Sequence, residues 1–170
     1  VDLAARGPEL EPLLAGDEAA LARTITVLES GADVTLAEAV RSAAAARTVP
    51  VLGITGTGGS GKSSLTDELI RRLRRDAQDK VRVAVLAIDP TRRRGGALLG
   101  DRIRMNSIAP GTVYYRSLAT RTPGAQVPEN LTDIILACKV AGYDLVIVET
   151  PGIGQGDAAI VPYADVSLYV

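Results

Sequence analysis

The chain has 170 residues, 46% hydrophobic and 23% charged, with a formal net charge of −1; that is about one domain's length, with enough apolar material for a buried core. It contains no histidine and a single cysteine, Cys138, which excludes a Ser-His-Asp triad, a His-ligated metal site and an internal disulfide within the segment. No stretch approaches the roughly 18 apolar residues of a membrane helix, and no leader-like start or net positive field is present, so the expected setting is reducing and cytoplasmic, without membrane or nucleic acid as partner.

In chain order, Asp17 is expected to cap a helix whose apolar positions Leu21, Ile25 and Leu28 recur at helical spacing, closed by Gly31. Thr35 and Glu38 read as the capping box of a second helix running to Arg47, and Pro50 breaks the chain. Residues 1–50 therefore read as a helical linker or docking segment, and residues 51–170 as a second unit. There, Val51–Thr55 is a short apolar strand, and Lys62–Arg75 is an amphipathic helix with Leu65, Leu69, Ile70 and Leu73 on one side. The basic run Arg71–Arg75 falls at that helix's end, where cations suit the dipole. Val81–Ile88 is a continuous apolar run of the kind a doubly buried parallel strand needs. A helix over Gly100–Ser107, a short strand at Val113–Tyr115, a helix over Pro128–Ala141 and a buried strand at Leu145–Val148 follow. A short helix at Ala158–Tyr163 and a strand from Val166 to Val170 complete the pattern. Alternating strands and helices predict an α/β fold with a mostly parallel sheet flanked by helices. The start at Val1 and the stop inside an apolar run lead us to expect a piece of a longer protein, with the last unit incomplete.

The segment Gly56-Thr57-Gly58-Gly59-Ser60-Gly61-Lys62-Ser63, followed by Ser64, fits G-x-x-x-x-G-K-[ST]. The residue types follow from the chemistry. Glycines let successive backbone N–H groups turn toward phosphate oxygens, Lys62 brings a cation to the β- and γ-phosphates, and Ser63 offers a hydroxyl to Mg²⁺. A chance glycine-rich turn would lack the strand before and the helix after that are both in place here. Such a loop needs carboxylates at the ends of neighbouring strands. Asp89 and Glu149 stand directly after apolar runs; each could instead only cap the turn that follows. Asp101 is either a helix N-cap or a metal-facing group, and Arg92, Arg93 and Arg94 either contact phosphate or lie solvated. Glu149-Thr150-Pro151-Gly152 resembles the D-x-x-G of nucleotide-dependent switch loops, in which the glycine N–H meets the γ-phosphate. Gln155, just beyond, either orients water or is a solvated loop residue.

Four blocks together carry a resemblance: Leu14–Asp17 with Thr26–Ser30, Gly53–Ser63, Asp89-Pro90 with Gly100-Asp101-Arg102, and Glu149–Gln155. They resemble the MeaB/ArgK-type G-protein chaperones, P-loop GTPases of the SIMIBI class. The run Gly58–Glu68 is most similar to the G domains of the fused isobutyryl-CoA mutases, where chaperone and mutase share one chain. The resemblance implies a GTPase using GTP/GDP and Mg²⁺ that gates adenosylcobalamin loading in an acyl-CoA mutase, contacts cobalamin-binding and mutase domains, and is homodimeric. It implies that Gly58, Gly59, Ser60, Gly61, Lys62, Ser63, Ser64 and Gly152 bind nucleotide. It also implies that Ser63, Asp89, Asp101 and Glu149 serve the metal, and that Lys62, Asp101 and Glu149 serve catalysis. The family's base-reading N-K-x-D motif does not occur here, so adenine is not excluded by the residues themselves. A P-loop small-molecule kinase or ATPase, and a non-catalytic interaction segment, are the competing readings.

Overall fold

The computed structural model describes residues 10–89, 110–120, 122, 124–152 and 155–170. The chain enters through a short helix α1 (Leu10–Leu14) and then α2 (Glu18–Ser30). Asp17 caps α2 as expected, accepting a hydrogen bond from the Ala20 N–H at 2.9 Å. The second helix, α3 (Val34–Ala44), starts one residue before Thr35. Its cap is Asp33, which is extended and accepts from the Leu36 N–H at 2.8 Å. A single turn at Ala44–Arg47 ends it before the chain straightens toward Pro50.

The second part is built from β1 (Val51–Thr55), α4 (Lys62–Asp76), β2 (Val83–Asp89), β3 (Val113–Ala119), α5 (Leu131–Val140), β4 (Leu145–Glu149), a 3₁₀ helix (Gln155–Tyr163) and β5 (Val166–Tyr169). Among the described residues five strands form a parallel sheet in the order β3-β2-β4-β1-β5. The expected helix over Gly100–Ser107 lies outside the described residues. β2 begins two residues later than the apolar run suggests, because Arg82 is bonded instead to Asp144: its N–H donates to Oδ2 and its carbonyl accepts from the Asp144 N–H, both at 2.8 Å. β3 extends to Ala119, through the polar Arg116 and Ser117 that a hydropathy pattern reads as a strand end. Arg116 stays inside because it meets Glu29 of α2 at 2.6 Å.

Alternation along the strands divides the core into two layers. Val83, Val85, Ile54, Ile147 and Val113 face α4 and its Ile70. Ala84, Leu86, Ile88, Val146 and Val148 face the other way, where the strongly apolar α5 packs. Leu21, Ile25, Leu28 and Val40 of the N-terminal helices join that same cluster, so α2 and α3 share the core of the sheet. Arg41 of α3 grips Asp133 of α5 through two parallel bonds of 2.7 and 2.8 Å, and the Asn130 amide donates to the Leu28 carbonyl at 2.7 Å. Among the described residues no helix is long and apolar enough to cross a membrane.

Candidate nucleotide site

The sheet order places the end of β4 between the ends of β1 and β2, with Ile54 and Ala87 in register with Glu149 on either side. The loop from Gly56 to Gly61 leaves β1 and returns into α4 at this point. Gly61 sits at φ 97°, a conformation that side chains resist, and as the N-cap of α4 it makes no side-chain capping bond. The leading N–H groups and the positive end of the helix therefore remain available at the loop, the arrangement that binds phosphate.

Lys62 is almost wholly buried, and its ammonium donates to the Gly56 and Thr57 carbonyls at 2.9 and 2.8 Å. A buried ammonium needs such acceptors, and both come from the glycine-rich loop itself. Ser60 is half-buried, with an enclosed Oγ that has no hydrogen-bond partner among the described residues. Ser63 donates to Glu149 Oε1 at 2.8 Å, linking the start of α4 to the end of β4. Thr66, one turn further along α4, lies 3.3 Å from Glu149 Oε2. Just past these strand ends the Thr150 and Thr55 hydroxyls meet at 3.2 Å. Asp89 ends β2, half-buried, two residues beyond the position paired with Glu149.

Gly152 explains how the chain after β4 can lie on the loop. Its φ is 75°, and a Cβ there would come within 2.9 Å of both the Gly56 carbonyl and the Gly58 nitrogen and would press on the Lys62 ammonium. Only glycine permits this approach. A cavity of about 710 Å³ opens here, bounded by Gly59, Ser64, Asp67, Tyr115 and Glu149 among others. On its rim, Arg71 and Arg72 hold the Glu68 carboxyl down at about 2, so it stays ionised.

The structure thus brings Gly58, Gly59, Ser60, Gly61, Lys62, Ser63, Ser64, Glu149 and Gly152 to one place. Asp101, the arginines 92–94 and residues 153–154 lie outside the described residues, as does the side chain of Gln155. Thr66 and Tyr115 line or support the site and have no motif of their own; the one signal for Thr66 is a threonine at i+3 from Ser63, on the same helix face. Among the described residues no three His, Cys, Asp or Glu side chains cluster as a metal cage. The oxygen donors of Ser63 and Glu149, 2.8 Å apart, fit Mg²⁺ nonetheless, since that ion is usually held by one or two carboxylates together with substrate phosphates.

Comparison with known proteins adds to this geometry. The family model described as methylmalonyl-CoA mutase-associated GTPase MeaB matches residues 21–170. A fused isobutyryl-CoA mutase of Nocardia farcinica is 64% identical over 172 residues, covering 100% of this chain and 16% of that protein. Its counterpart from Cupriavidus metallidurans is 60% identical over 173 residues, with the same coverage of 100% and 16%. A crystal structure of a LAO/AO transport system kinase superposes with a TM-score of 0.70 at 29% identity, covering 94% of this chain and 48% of that one. The chain therefore spans only 16% of the length of these two fused relatives. A family match from α2 to the last residue, on a parallel sheet with a phosphate loop after β1, identifies the chain as a member of the MeaB family of methylmalonyl-CoA mutase-associated GTPases.

Proposed function

We propose that this chain is the GTP-binding and GTP-hydrolysing chaperone domain of a fused isobutyryl-CoA mutase, and that it gates adenosylcobalamin loading and release there. Support comes from the two fused mutases, whose similarity covers the whole chain. The observation that carries the hydrolytic part is the 2.8 Å bond between Ser63 and Glu149, which joins the phosphate-loop helix to the neighbouring strand end.

In this reading Lys62 exchanges its two loop carbonyls for the β- and γ-phosphates, and the N–H groups from Gly58 to Ser64 surround the phosphate oxygens. Mg²⁺, when bound, neutralises charge on those oxygens. Ser63, Asp89 and Glu149 would hold the metal, with Asp101 in its environment. Glu149 keeps the Ser63 hydroxyl oriented and orders the attacking water for in-line displacement. The Gly152 N–H senses the γ-phosphate, and loss of that contact frees the segment after β4 to report hydrolysis.

Residues 1–50 are assigned as the segment that docks cobalamin-binding and mutase domains, and residues 51–170 as the G domain. The assembly is proposed to be a cytoplasmic homodimer. The test is cofactor transfer in the full-length protein, followed by the visible spectrum of the bound cobalamin. Transfer that depends on GTP and is lost in Lys62→Ala supports the proposal; transfer that proceeds equally without nucleotide contradicts it.

A further inference from the structure

Thr66 raises a question that packing does not answer. It is fully buried on α4, four residues before the core residue Ile70. A valine has nearly the same shape, and a hydroxyl in such a position is unfavourable unless it is hydrogen-bonded. Its Oγ1 lies 3.0 Å from the Lys62 carbonyl, a bond within the helix, and 3.3 Å from Glu149 Oε2. Ser63 meets the other oxygen, Oε1, at 2.8 Å. Two hydroxyls three residues apart on one helix therefore face the two oxygens of one carboxylate. A carboxylate held at both oxygens cannot rotate about its terminal bond without losing a contact.

We infer that Thr66 is a positioning residue for the metal: it holds Glu149 Oε2 so that Oε1 and the Ser63 oxygen are presented together to Mg²⁺. This rests on the proposal that Ser63 and Glu149 serve the magnesium. The Lys62 carbonyl has a part in it. Thr66 has one proton for two acceptors, so the carbonyl receives it whenever the carboxylate does not, and Oγ1 stays at the site in either state. The same helix turn that carries the phosphate-binding ammonium thereby sets the angle of the carboxylate.

The experiment is GDP binding by calorimetry on the full-length protein, across a Mg²⁺ titration and in EDTA, for wild type, Thr66→Val, Thr66→Ser and Glu149→Gln. Losing a group that orients a metal-side residue typically costs about 10–100-fold in metal affinity, and the 3.3 Å contact points to the lower end. Thr66→Val is expected to raise the Mg²⁺ half-saturation about tenfold, with GDP affinity in EDTA unchanged. Thr66→Ser is expected to restore the wild-type response. A normal half-saturation in Thr66→Val overturns the inference, and so does an equal loss of GDP affinity with and without Mg²⁺, which marks a purely structural role. If Thr66→Val does not fold, Thr66→Ser decides alone, because a raised half-saturation with the hydroxyl retained contradicts the inference. A normal Mg²⁺ response in Glu149→Gln removes the underlying reading of Glu149 itself. A raised response there, with Thr66→Val silent, removes only the role of Thr66.

Discussion

The two ends of the sheet hold polar groups in opposite ways. At the end where the strands begin, Arg82 donates to the Ala141 carbonyl at 2.8 Å, the Gly111 carbonyl at 3.0 Å and the Gly16 carbonyl at 3.2 Å, and lies 4.3 Å from the centre of the Tyr143 ring. Asp165 accepts from the Val51 N–H at 2.7 Å on the same side. Each of these bonds ties a side chain to backbone far away in sequence, and the backbone does not move without unfolding. At the end where the strands finish, Lys62 is held by its own loop, and Ser63, Thr66 and Glu149 are held by one another. Groups satisfied by a glycine-rich loop and by other side chains can trade partners for a ligand. The first end fixes the architecture, and the second is arranged to exchange.

That contrast can be broken by mutation. Lys62→Ala is expected to have the largest effect, lowering GTP hydrolysis by about 10²–10³-fold, as loss of a transition-state donor does, while the melting temperature stays near wild type. Steady-state turnover with thermal melting checks both halves; a large fall in melting temperature would place Lys62 with the architectural groups. Arg82→Met is the mirror case. It removes three bonds from a charged donor and a cation–π contact, and is expected to cost about 2–3 kcal/mol of stability. Nucleotide affinity below the transition should not change, and urea unfolding with GDP titration checks this.

Gly152→Ala sits between the two. A residue forced to positive φ costs about 1–2 kcal/mol, and the added methyl pushes against Gly56, Gly58 and Lys62. GDP affinity should fall together with a modest loss of stability, so calorimetry and melting must move in the same direction.

The smallest effect concerns pH. Burial pushes the Cys138 thiol up from 9.0 to about 12 and the Tyr143 hydroxyl up from 10.0 to about 12. The folded state favours both neutral forms. Their contribution to stability is therefore complete below pH 9.0 and declines as pH rises from there to about 12. At pH 8 a disulfide reagent should modify Cys138 only as fast as the protein unfolds, and modification at the rate of a free thiol would contradict its burial.

What the sequence showed depended on distance along the chain. The phosphate loop was legible because its function needs a local run, from Gly56 to Ser63, between a strand and a helix. Glu149 was legible as a carboxylate closing an apolar strand. Thr66 was not, because its link to Glu149 spans 83 residues and a threonine inside a helix carries no mark of it. The capping-box pattern points to Thr35 whereas Asp33 caps α3, because both residue types can cap a helix and only the backbone at Asp33 selects between them. The apolar stripe of α2 showed that a face would be buried, but not that α5 and the sheet would bury it. Arg116 ended a strand in the hydropathy pattern and continues it in the fold, since Glu29 lies 87 residues away.

The measurement that bears most directly on the central claim is calorimetry of the full-length protein with GDP and with ADP, Mg²⁺ present, beside Lys62→Ala. Tight GDP binding, much weaker ADP binding, and loss of GDP binding in the variant are expected. ADP binding as tight as GDP binding, or GDP binding unaffected by loss of Lys62, would contradict the claim.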